Sequence, residues 1–173
     1  VLAKGVEGVG WTSRGLTLVY QPPGSPRRLG HFSRVQRDLA VLPRLEREAP
    51  GGVHFGYGGD RHLLVAAPIS RERWIVLHRG HTVDLTAPEG AVVGVAMVGG
   101  WSEETPGLLV LEDGALSVRS LRGAAMLSTE VAASPRPVVA TRGPWVCWLN
   151  RAGELVVFNL AQSQIYARLQ VRR

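Results

Sequence analysis

A chain of 173 residues with one cysteine, Cys147, has room for one domain with a sizeable core or for about four small repeats, and it holds no internal disulfide. Its formal charge is +6, and the excess is almost all arginine, Lys4 being the only lysine. No apolar run approaches the roughly 18 to 20 residues that cross a bilayer, and residues 1–8 carry no leader pattern, so a soluble cytoplasmic protein is expected.

In chain order, VGWTSRGLTLVY at 9–20 reads as two strands around a turn, with a third near 28–32 and no obvious strand before the first. QPPGSPRR at 21–28 is a Pro/Gly loop. Phe32, Val35, Leu39, Leu42 and Leu45 recur at helical spacing, so a short amphipathic helix over 33–42 is expected, capped by Ser33 and Gln36 and ended by Pro43. After the EAPGG linker, residues 53–85 offer strands near 53–57, 63–67, 74–78 and 81–85. Residues 91–128 repeat the rhythm with strands at 91–98, 108–111, 115–120 and 124–128, and Asp113-Gly114 between the middle two is a tight-hairpin pair.

The last repeat, 138–169, is the clearest. Its apolar runs at 138–140, 145–149, 155–160 and 165–169 are too short for ordinary helices, rich in strand formers and separated by short turns. WVCWL and LVVFNL are apolar at odd and even positions alike, so both faces of this sheet need cover. Stacking further four-stranded sheets on either side provides it. The expected architecture is all-β: a small or incomplete propeller of about four antiparallel blades, roughly 9–32, 53–85, 91–128 and 138–169, with an insertion at 33–50 in one domain spanning 1–173. A β-sandwich or barrel is the alternative.

Sites of chemistry are sparse. The chain has no phosphate loop, dinucleotide fingerprint, HExxH or nucleophile elbow. His54, His62, His78 and His81 lack a third metal ligand at a characteristic spacing, so they read as hairpin or surface residues and no metal or other cofactor is expected. Cys147, between Val146 and Trp148, reads as a buried small hydrophobe. Trp11, Trp74 and Trp148 fit between sheets, whereas Trp101 follows Gly-Gly in a loop beside Glu103 and Glu104 and suits an interface anchor. Arg27, Arg28, Arg34 and Arg37 begin an arginine-rich interval that suits acidic contacts. No finger, helix-turn-helix or aromatic-basic pattern accompanies them, which argues against specific nucleic-acid binding.

With VGWTSRGLTLVY matching VCWLNRAGELVVF, and WLN, VLED and FNL as loose analogues of blade motifs, the chain resembles degenerate β-propeller repeat proteins of the broad WD-like class; the terminal WD dipeptide and the GH opening are absent. The arginine-biased composition resembles that of high-GC bacteria, in which such modules accompany multi-component systems. That resemblance implies a non-catalytic scaffold whose partner is another protein or a second copy. The competing expectations are a small-ligand or carbohydrate-binding domain and an enzyme whose site is assembled from separate blades. The unit at 9–32, short of one strand, adds the expectation that a second copy or another segment completes it.

Overall fold

Two adjacent residues with positive φ, Asp113 at 50° and Gly114 at 80°, turn the chain between β10 (Thr105–Glu112) and β11 (Ala115–Ser120). Glu112 faces Ala115 in register, so the two form a two-residue hairpin loop whose twist matches that of the strands. β9 (Ala91–Val98) and β12 (Gly123–Ser128) complete this sheet in the order β12-β11-β10-β9.

This computed structural model describes residues 6–12, 15–20, 23–24, 28–33, 39–44, 52–58, 62–78, 81–99, 104–129, 131 and 139–171. Three more antiparallel four-stranded sheets accompany the one just described, which is third in chain order. The first holds β1 (Val6–Thr12), β2 (Gly15–Tyr20), β3 (Arg28–Ser33) and β4 (Leu39–Arg44). The second holds β5 (His54–Tyr57), β6 (Leu63–Pro68), β7 (Arg73–His78) and β8 (His81–Thr86). The fourth holds β13 (Val139–Arg142), β14 (Trp145–Leu149), β15 (Glu154–Asn159) and β16 (Gln164–Gln170). The described residues contain no helix long and apolar enough to cross a membrane.

Two expectations for the first sheet are corrected. The stretch read as a helix over 33–42 supplies strand β4 at Leu39–Arg44, while residues 34–38 lie outside the described ones. β4 is an edge strand, and its register against β3 shifts between Arg28 and Gly30, so Pro43 occupies a setting in which its missing N–H breaks no regular ladder. The strand thought to be missing before the first unit is not missing. β1 is the unit's first strand, β4 is its fourth, and the sheet has its full set.

The cores lie between sheets. β6 is buried along its whole length, and its side chains alternate in direction. Leu64 and Ala66 pack with Trp74, Val76 and Leu85 against Val95, Met97, Leu108 and Val110 of the third sheet. Leu109, Leu116 and Val118 project from the other side of that third sheet and meet Val146, Trp148, Val156 and Phe158 of the fourth. Trp148 is 1% exposed, and its Nε1 is buried without a hydrogen-bond partner among the described residues. It fills the seam as an apolar body, with its ring 6.2 Å from that of Phe158.

The inner strands of the last three sheets meet at the axis. The Thr141 hydroxyl donates to the Val95 carbonyl at 2.7 Å, and the Gly143 N–H donates to the Tyr57 carbonyl at 2.5 Å. Gly56 makes this approach possible, because a Cβ there would lie 2.5 Å from Thr141 Oγ1 and 2.6 Å from the Val95 carbonyl oxygen. The first sheet joins through β1 against β6, with Gly10 facing Phe55 and Leu63. Among the described residues the four sheets do not close into a ring.

Candidate interaction surface

Strand alternation in the fourth sheet divides its apolar residues between two faces. Val146, Trp148, Val156 and Phe158 enter the core shared with the third sheet. Trp145, Cys147 and Leu149 of β14, with Leu155 and Val157 of β15, point the other way and are only half-buried. None of these five joins a buried cluster among the described residues.

Cross-strand register makes this outer face continuous. Leu149, Leu155 and Leu169 form one row, and Ala140, Cys147, Val157 and Ala167 form the next. A bulge opposite Val157 and Phe158 leaves Tyr166 as the extra residue of β16. Tyr166 thereby swings onto the same face, where its ring meets Trp145 edge-on at 5.1 Å. Tyr166 is 69% exposed, Val171 50%, Leu169 54% and Ile165 41%, so half of the eight large hydrophobics exposed among the described residues sit on or beside one strand. By contrast, the outer strand of the second sheet, HTVDLT, buries its one leucine, Leu85, and exposes polar residues.

Turns at the two ends hold this sheet in shape. At one end Asn150 accepts from the Glu154 N–H at 2.9 Å and donates to the Glu154 carboxylate at 2.8 Å, while Gly153 takes a positive φ. At the other, the Asn159 side chain accepts from the N–H groups of Ala161 and Gln162. Arg168 and Glu154 approach at 3.8 Å, a contact too long and too wet to contribute much stability.

The residues singled out from sequence fall elsewhere. Trp101, Glu103, Arg27, Arg34 and Arg37 lie outside the described residues. Glu104 is half-buried just ahead of β10, and Arg28 opens β3 opposite Tyr20 and Arg44. Trp74 and Trp148 pack between sheets as expected, and the Trp11 side chain lies outside the description. Cys147 differs from the expectation of a buried core residue: it is half-buried because its strand turns Val146 and Trp148, not Cys147, toward the third sheet. Burial still raises its thiol pKa above the ordinary value.

The histidines form part of the second sheet's structure. His54 stacks on Trp74 with ring centroids 6.0 Å apart, and burial lowers its pKa while a hydrogen bond to the Val92 backbone works in the opposite direction. His62 and His78 meet edge-on at 6.5 Å. Among the described residues no group of three or more His, Cys, Asp or Glu side chains is placed to hold a metal ion.

No protein-family model and no curated protein sequence matches the chain. Solved structures do. The chain is similar to virginiamycin B lyase from Staphylococcus aureus, with a TM-score of 0.55 and 9% identity over 98% of this chain and 71% of that one. It is also similar to the dihydro-heme d1 dehydrogenase NirN, with a TM-score of 0.53 and 16% identity over 96% of this chain and 38% of that one. The fission yeast SREBP–SCAP binding-domain complex gives a TM-score of 0.53 and 14% identity over 98% of this chain and 50% of that one. At these identities the likeness speaks for fold alone: the chain is an all-β, propeller-like array of four-stranded antiparallel sheets.

Proposed function

We propose that this chain is a non-catalytic protein-interaction module whose working surface includes the outer face of blade four. The observation that carries the reading is the exposure of Tyr166, Leu169 and Val171 on and beside β16, continuous with the half-buried residues Trp145, Cys147, Leu149, Leu155 and Val157; exposed Ile165 pairs with Phe158 and lies on the strand's other face. An apolar surface of this kind on an otherwise arginine-rich protein supports a contact with another protein. The inner strands β5, β9 and β13 meet at the axis, where a ligand-binding propeller would need an open pocket, and this favours surface recognition over a central small-molecule site. One of the similar structures is itself a complex of binding domains, a precedent for protein partners at the level of fold.

Trp101, Glu103 and Glu104, with Arg27, Arg28, Arg34 and Arg37, supply polar and aromatic contacts of the same module, which fits an accessory of a bacterial multi-component system. The test places a photo-crosslinking amino acid at Tyr166 and, as a control, at exposed Thr82 of β8. Crosslinks to a defined protein surface from position 166 only, lost on Leu169→Asp, are expected. Equal or absent crosslinking at both positions overturns the reading.

A further inference from the structure

We propose that the outer face of blade four is covered by the same face of a second copy of this chain, forming a closed two-fold dimer. The inference rests on the interaction reading and names its partner. It does not rest on an incomplete first unit, since that sheet has all four strands.

Continuity is the first support. Blade two is stacked on blade three, and blade three on blade four, through apolar layers contributed by four-stranded sheets of this chain. The outer face of blade four is the next layer in that series, built from the same residue types and uncovered among the described residues. A sheet of matching size and chemistry is the surface that fits it, and every copy of this chain carries one.

Charge is the second. At a net +6, two copies repel each other wherever arginines would meet. The outer face escapes this, because among the described residues register gives it one charged side chain, Arg142, at its inner margin beside Trp145. Arg168 approaches Glu154 and aligns with Val156, on the opposite side from Leu155 and Leu169. A two-fold axis lying in the contact plane and running along the strands exchanges β13 with β16 and β14 with β15. Each Arg142 then lies over the partner's β16 end near Gln164, far from its symmetry mate. Trp145 lies over the smaller Asn159, Cys147 over Val157, and Leu149 over Leu155. Because the same patch serves both copies, assembly stops at two.

The experiment is sedimentation velocity over a concentration series, combined with the rate of maleimide labelling at Cys147, the chain's single thiol. A dimer that dissociates on dilution is expected, with Cys147 labelled several-fold more slowly in the dimer. Tyr166→Asp and Leu169→Asp should each weaken association at least tenfold and restore fast labelling, with far-UV circular dichroism unchanged because both side chains are more than half exposed. Met126→Asp, at an exposed site on blade three, should leave the dimer intact. A monomer at every concentration, growth beyond the dimer, or a dimer indifferent to Asp at 166 and 169 overturns the second-copy proposal. If the chain is monomeric but position 166 still crosslinks to another protein, the interaction reading survives and only its partner changes.

Discussion

Thr141 of blade four donates its hydroxyl to the carbonyl of Val95 in blade three at 2.7 Å, so the inner strands of two neighbouring blades are tied by a side chain where no ladder hydrogen bond joins them. The same carbonyl is 2.6 Å from the position a Cβ would take on Gly56 of blade two. Three blades therefore depend on one small volume. Thr141→Val keeps the shape and removes the donor, and it should cost about 1 kcal/mol in urea unfolding. Gly56→Ala should cost more, roughly 1 to 3 kcal/mol, because the neighbours on two sides are a strand backbone and a bonded hydroxyl. A Gly56→Ala protein as stable as the parent would show that the axis is looser than this packing.

Leu64 tests the seam between blades two and three. It is 0% exposed and touches residues of both sheets, so Leu64→Ala should lower stability by about 2 to 5 kcal/mol. Leu121→Ala, at a site 65% exposed, should change it by less than about 0.5 kcal/mol. Similar midpoints for the two variants in urea would contradict the placement of the core.

Much of this arrangement is legible from residues. Asp113-Gly114 announces its hairpin because both residues accept positive φ, and WVCWL with LVVFNL announces a sheet that is apolar on both faces, of which the structure covers one. The stretch from Leu39 to Arg44 is not legible in the same way. Phe32, Val35, Leu39, Leu42 and Leu45 fit a helical period, and the alternation of Leu39, Val41 and Pro43 is too brief to outweigh it. Pairing with β3 decides the outcome, and pairing is a tertiary fact. The contact of Tyr166 with Trp145 is hidden for another reason. Simple alternation would set Tyr166 on the face opposite Ala167 and Leu169, and the bulge reverses it.

His54 gives the structure a pH dependence with a definite sign. Its ring lies on Trp74, and burial depresses its pKa, so the folded state favours the neutral imidazole. The contribution is fully present above the unfolded value of about 6.5 and is lost as pH falls from there through the depressed folded value. Urea midpoints should therefore drop between pH 7.5 and pH 5.5 in the parent and drop less in His54→Gln. A parent that becomes more stable over this interval would reverse the assignment.

Cys147 reports on the outer face of blade four through its chemistry. The thiol is half-buried and its pKa is raised by desolvation, so at neutral pH less of it is thiolate than in an unfolded chain. Two independent factors, partial cover and a smaller reactive fraction, slow alkylation in the same direction. Labelling of the dilute native protein should be several-fold slower than in denaturant, and its rate should climb with pH along a curve displaced to the alkaline side of the denatured one. Leu155→Ala removes a half-buried neighbour from the adjacent row and should raise the native rate without altering the denatured one. If native and denatured rates coincide at neutral pH, the thiol is open to solvent, and the face built from Trp145, Cys147, Leu149, Leu155 and Val157 is not the continuous apolar surface described.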